Sequence, residues 1–162
     1  MTFLNGFLYF IAAVLALLLL AGRLGWLAGQ PPTGLGVQDG KLKRPSRTPN
    51  SVSSQADLWP GPMSESARID PLTVKGSPQA SLQQIKALAA QMPGARVVDS
   101  RDDYLYLQFT TRVLGFVDDV EFWAAPDAKV IQVRSASRVG RKDFGVNRAR
   151  IEALRGQFAA AS

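Results

Sequence analysis

The chain has no cysteine and no histidine among its 162 residues. Without cysteine there is no disulfide, no thiolate metal ligand and no thiol nucleophile, and the redox compartment stays open. Without histidine the usual general base near neutral pH is missing, together with the commonest zinc ligand and every Ser-His or Cys-His nucleophile pair. Only oxygen ligands remain for a metal. Charge is locally absent as well: residues 2–22 carry no charged side chain, and Asn5 is the one strongly polar group among them. Elsewhere the balance is basic, Lys+Arg 19 against Asp+Glu 13, and a net +6 favours anionic partners while also being common on proteins that bind none.

An uncharged run of that length has a direct physical consequence. At the helical rise it spans about 30 Å, the thickness of a hydrocarbon core, with Arg23 able to reach the headgroups and Trp26 placed at the interface beyond. Residues 1–29 are therefore expected to form a single-pass anchor in the inner (plasma) membrane, with the lipid bilayer as a partner. A cleaved signal peptide is the rival, but it calls for basic residues before the run, a shorter apolar stretch and an A-x-A-like exit, none of them clean here. Arg23, Lys41, Lys43, Arg44 and Arg47 follow the run and no base precedes it. The positive-inside bias thus leans the remainder of the chain toward the cytoplasm and leaves the side unresolved.

Residues 30–62 are dense in Pro, Gly and Ser and show no apolar period, which reads as a linker. Its bases from Lys41 to Arg47 suit either a juxtamembrane patch lying on an anionic leaflet or a merely solvated tether.

Residues 63–162 read as one folded domain. Ser77 as N-cap and Pro78 at the first helical position open a helix with Leu82, Ile85, Ala89 and Met92 on one face, stopped by Pro93 and Gly94. A short strand about Val97 and Val98 precedes a polar turn at 100–103 and a strand at 104–111. In that strand Leu105, Leu107 and Phe109 alternate with Tyr104, Tyr106, Gln108 and Thr110. A strand at 117–124 sets Val120, Phe122 and Ala124 against Asp119, Glu121 and Trp123. After a hairpin near Pro126 and Asp127, a strand at 129–137 reverses the parity, with Ile131 and Val133 against Gln132, Arg134 and Ala136. A last helix, 148–161, has Asn147 as N-cap and Ile151, Leu154 and Phe158 as its stripe. The expected fold is a two-layer α+β domain, a four-stranded antiparallel sheet with a helix before and a helix after it, preceded by the membrane helix. The polar sheet face is expected to be open to solvent or partly roofed by residues 63–76.

The strings FVDDVEF from Phe116, RSASRVGRKDFGVNRARIEALR from Arg134 and PNSVSSQA from Pro49 resemble those of domain-of-unknown-function family 1499, found in bacteria and plastids. The resemblance runs from Pro49 to the carboxyl end and implies the domain limits, with no activity and no catalytic residue to carry over. Ser51 stands where the family's string reads PNCVSS, so a thiol-based role does not transfer to this chain.

Three groups of residues carry candidate chemistry. Asp118, Asp119 and Glu121 offer oxygens for a divalent cation or an acid and base pair, yet strand alternation turns Asp118 to the opposite face. There it would meet Arg138 or the backbone of residues 139–144. Asp119 and Glu121 share a face with Arg134, which must lie directly or diagonally opposite one of them, so an ion-pair network is the simpler reading. Arg138, Arg141, Lys142 and Arg148, beside Gly140, Gly145 and the helix start at Asn147, form a candidate anion site or a solvated basic loop. Tyr106 and Trp123 near bases have the elements of a stacking platform, but the acids on that face and the missing RNA-recognition consensus set nucleic acid aside. No catalytic residue, metal site or cofactor is assigned. Taken together the chain reads as a membrane-anchored binding or structural module for an anionic ligand or a membrane-protein partner. The competing reading is a membrane-associated hydrolase-like enzyme working through the acidic strand, with or without a divalent cation.

Overall fold

A computed structural model of the chain describes residues 3–59, 61, 62, 64–125 and 127–161. Thr2, Met63 and Pro126, which bounded the expected anchor, domain and hairpin, lie outside the described residues. Helix α1 (Phe3–Arg23) is 21 residues long, with a mean hydropathy of 2.4 over its most apolar window and none of that window buried. It is long and apolar enough to cross a membrane, as an anchor or as a signal sequence.

The elements that follow are β1 (Ser51–Ser53), α2 (Ser64–Ala67), β2 (Leu72–Thr73), α3 (Pro78–Ala90), β3 (Ala95–Ser100), β4 (Tyr104–Thr110), β5 (Val117–Trp123), β6 (Val130–Ser137) and α4 (Val146–Ala160). The strands make one antiparallel sheet in the order β1-β6-β5-β4-β3, with β2 also pairing along β6. Six strands replace the expected four because β1 and β2 are three and two residues long, too short to show an alternation in sequence.

Local chemistry explains the helices. Ser77 accepts the Ala80 N–H at 3.1 Å and caps α3, and Gly94 closes the turn into β3. A Cβ at Gly94 would lie 2.2 Å from the Thr110 carbonyl oxygen, and its φ of 77° is one that glycine tolerates best. Helix α4 starts at Val146, earlier than expected, and Asn147 is not its cap. Gly145 holds the N-cap position, and the Asp143 carboxylate two residues before it closes the helix start by accepting the Gly145 and Asn147 N–H groups at 3.0 Å each.

The core lies between the helices and one sheet face. Leu82, Ile85, Leu105, Leu107, Val120, Phe122, Ile131, Val133, Ile151 and Leu154 are each at most 2 % exposed. Each such side chain contributes roughly 1.5–3 kcal/mol of transfer free energy. The register pairs Leu105 with Phe122 and Phe122 with Val133, as the alternation requires. An irregularity between Val97 and Asp99 turns Val98 outward, 45 % exposed, so the expected strand about Val97 and Val98 carries a bulge at its centre.

The second sheet face is covered too, and by a different segment from the one expected. Residues 35–42, not 63–76, form its roof: Leu42 is 1 % exposed and packs with Tyr104 and Tyr106, with Leu35, Val37 and Trp123 around them. Gln55 pins the roof by accepting the Leu42 N–H at 2.7 Å and donating to the Gly40 carbonyl at 3.0 Å. The stretch read as a linker thus supplies a strand and a layer of the fold. Pro and Gly there serve close turns over the sheet rather than chain flexibility.

A chain begun at Ser64 should lose β1, the roof and cooperative folding, because it would leave Glu121 and Tyr104 uncovered. A chain begun at Gln30 should melt in a single transition. Thermal unfolding followed by circular dichroism separates the two.

Candidate functional site

Strand β5 alternates acids between two environments, and the structure gives each a cation. Glu121 lies directly opposite Arg134 in the β5–β6 ladder and takes its guanidinium at 3.2 Å. Its other oxygen accepts the Tyr104 hydroxyl at 2.9 Å and the Gly36 N–H of the roof at 2.8 Å. Asp119 accepts the Tyr106 hydroxyl at 2.5 Å and holds Arg138 through two bonds of 2.7 and 2.8 Å. Asp118 faces the helices, as expected, but its partner is Arg150 of α4 at 2.5 Å and not Arg138. Arg150 also lies 4.6 Å from the Phe109 ring centre, which fixes the guanidinium in a partly apolar slot.

The electrostatics follow from this burial. Removal from water and then the adjacent Glu121 charge push the Tyr104 phenol far above its ordinary value. Burial and the bond to Asp119 raise Tyr106 in the same direction. The hydrogen bond and charge of Asp119 raise Arg138. Burial alone would raise Asp143, but the N–H groups of Asn147 and Gly145 that it caps bring it below the usual carboxylate range.

Of the expected ligand-binding residues, Arg134, Arg138, Asp119, Glu121 and Tyr106 come together, with Trp123 at the rim of the same layer. They are engaged with one another beneath the roof. Asn147 is fully buried and structural: it takes the Ser135 hydroxyl at 2.5 Å and Arg150 at 2.9 Å, and donates to Ser137 and to the Asn50 carbonyl. That one amide ties β1, β6 and α4. Arg148 donates to the Ser66 and Arg68 carbonyls at 3.1 and 2.7 Å, while Arg141 and Lys142 stay exposed. The helix start that was expected to attract an anion already holds Asp143.

A different concavity was not read as a site in the sequence. Arg44, Pro45, Ser46, Arg47, Trp59 and Ser64 line a cleft of ≈ 440 Å³. Arg44 and Trp59 also border a second of ≈ 320 Å³, together with Lys41, Lys43 and the single acid Asp39. The Lys41 ammonium sits 5.4 Å from the Trp59 ring centre, and the Lys43 ammonium donates to the Thr33 carbonyl. Among the described residues, none of Lys41, Lys43, Arg44 and Arg47 has a carboxylate within ion-pair reach. The Trp59 indole N–H is buried there without an acceptor among those residues. The run of bases was legible, but the fold alone brings Trp59 to it.

Arg134→Met should cost about 3–5 kcal/mol in urea unfolding, because Glu121 is left charged and buried, and the double variant with Glu121→Gln should recover much of the loss. The raised tyrosines set the alkaline limit. A phenol whose folded value lies above its unfolded one contributes stability that is complete below a pH of about 10 and is lost as pH rises through the folded value. Urea midpoints of the parent should therefore fall on the alkaline side, and Tyr104→Phe should flatten that fall.

No curated protein matches the chain. A sequence profile for the family described as "Protein of unknown function (DUF1499)" matches residues 41–158, which takes in the roof bases, the acidic strand and α4. A match over that much of the sequence assigns the chain: it belongs to the DUF1499 family.

Proposed function

We propose that this protein is a membrane-anchored binding module that takes a small anionic ligand, bearing phosphate or carboxylate, in the basic cleft of Arg44, Arg47 and Trp59. The observation that carries this reading is the contrast between two sets of bases. Those on the sheet, Arg134, Arg138 and Arg150, each hold a buried carboxylate at 3.2, 2.7 and 2.5 Å. Those of the cleft surround a concavity and are not neutralised by a described acid. Unpaired guanidinium groups lining a concavity suit an oxygen-rich anion, which accepts from their N–H donors. The uncharged helix α1 supports the anchor.

The hydrolase reading needed a free carboxylate on β5. Asp118, Asp119 and Glu121 each accept from arginine, and the last two also from tyrosine, which counts against that reading.

Pyrophosphate and citrate titrated into the full chain in neutral detergent should raise the melting temperature saturably, by about 2.7 kcal/mol of stabilisation at a hundredfold excess over the dissociation constant. The rise should shrink with salt and vanish in the Arg44→Gln, Arg47→Gln double variant. An equal response in that variant would overturn the cleft as the site.

A further inference from the structure

Helix α1 touches the domain at one end only. A Cβ at Gly22 would lie 2.8 Å from the Leu114 carbonyl oxygen, and one at Gly115 would lie 2.6 Å from that of Gly22. Gly29 abuts Val139 and Arg138 in the same way, where a Cβ would come within 2.6 and 2.8 Å. The carboxyl end of α1 therefore sits against residues 111–116 between β4 and β5, and the stretch that follows it, at Gly29, sits against the start of residues 138–145 between β6 and α4. Two glycines at the first contact let backbone meet backbone, which sets the helix at a defined place on the domain.

Those same connections hold most of the large apolar side chains exposed beyond residue 26 among the described residues. Beyond residue 26, the large apolar side chains exposed among the described residues are Leu58, Val98, Val113, Val139, Phe144 and Val146, and four of these six lie in or next to the two connections. Phe144 is 93 % exposed and has a φ of 54°, a left-handed conformation that an aromatic residue seldom adopts. An apolar groove of ≈ 340 Å³ runs beneath it between Phe116, Val117, Val139 and Val146. Arg112, Arg141 and Lys142 are exposed in the same connections, and no described acid pairs with them. The acids nearest in sequence are engaged elsewhere, Asp118 with Arg150 and Asp143 with the start of α4.

We infer that this end of the domain is a bilayer-seating face: Phe144, Val113 and Val146 enter the interfacial layer of the leaflet that α1 leaves, with Arg112, Arg141 and Lys142 on anionic headgroups. The inference rests on α1 being a retained anchor. Its occupant is named by position, since the helix that enters the bilayer ends on one of the loops that display the apolar groups and its continuation at Gly29 meets the other. Apolar rings beside bases are the composition that partitions to a headgroup boundary. The basic loop expected to take a phosphate thus finds one from the lipid surface, through its exposed bases and not through the start of α4. Seated this way, Arg44 of the cleft, whose carbonyl accepts from Arg134, lies three residues along β6 from Ser137, roughly 10 Å of strand from the membrane end.

The absence of cysteine makes the test clean. Single variants Val113→Cys, Val146→Cys, Leu58→Cys and Val98→Cys of the full chain are labelled with an environment-sensitive fluorophore and reconstituted into phosphatidylcholine–phosphatidylglycerol vesicles carrying brominated acyl chains. Labels at 113 and 146 should show blue-shifted emission and quenching by the bromines, while those at 58 and 98 stay water-like. Adding Phe144→Asp should reverse the shift at 146 with the chain still resisting alkaline carbonate. Quenching at 113 and 146 no greater than at 58 and 98, in a chain that carbonate leaves in the membrane, overturns the seat alone. Release by carbonate overturns the anchor and the seat together.

Discussion

Glu121 is fully buried in the middle of an antiparallel sheet, and the architecture on that side of the domain is arranged around keeping its charge satisfied. An isolated carboxylate in such a place is very costly, so its oxygens must meet donors. Arg134 arrives from the neighbouring strand, Tyr104 from the other, and the roof brings the Gly36 N–H down onto it. Residue 36 can turn its N–H onto the carboxylate because its φ of 94° is one that glycine adopts readily. A pair buried this deeply adds little net stability over an apolar substitute, since desolvation offsets attraction. Its effect is on specificity: only one register of β5 on β6, and one path for residues 35–42, satisfies all its donors at once.

The same logic extends along β5. Asp119 with Arg138 closes the roofed layer at the α1 end, and Asp118 with Arg150 anchors α4 on the opposite face. Three uses of one device on one strand, two on the roofed face and one on the helix face, bind the roof, the sheet and the last helix into one body. The interior is thereby self-contained in its polar chemistry. What remains for recognition is the outside, which divides into a basic cleft beside the roof and an apolar, basic end beside α1. The two lie apart along β6, so a ligand in the cleft and a surface under the loops would not compete.

Much of this order was legible residue by residue. Alternation in β4, β5 and β6 needs only the period of two, and it placed Phe122 and Val133 on the core side and Arg134 opposite one of Asp119 and Glu121, which the register shows to be Glu121. Ser77 and Pro78 marked the start of α3 by chemistry confined to one turn. Residues 1–29 were read for an apolar helix, which depends on hydropathy alone and also appears as α1. The short strands β1 and β2 were invisible because two or three residues show no period, and the Asp143 contact at the start of α4 was missed because Asn147 is an equally good capping residue on its own.

Sequence by itself determined the α+β class, the parity of three strands, the acidic strand's partner at Arg134 and an uncharged helix at the amino end. Each of these follows from periodicity or composition within about twenty residues. Only the tertiary structure decided that residues 35–42 are a roof and not a tether, that Arg138 belongs to Asp119 and Arg150 to Asp118, that Trp59 meets the bases near Arg44, and that Gly22 at the end of α1 meets Leu114. Those contacts join residues 19 to 32 positions apart in the ion pairs and still further in the roof, and chain distance carries no record of them. They exist because buried charges and apolar surfaces each find the partner that three-dimensional closure leaves within reach.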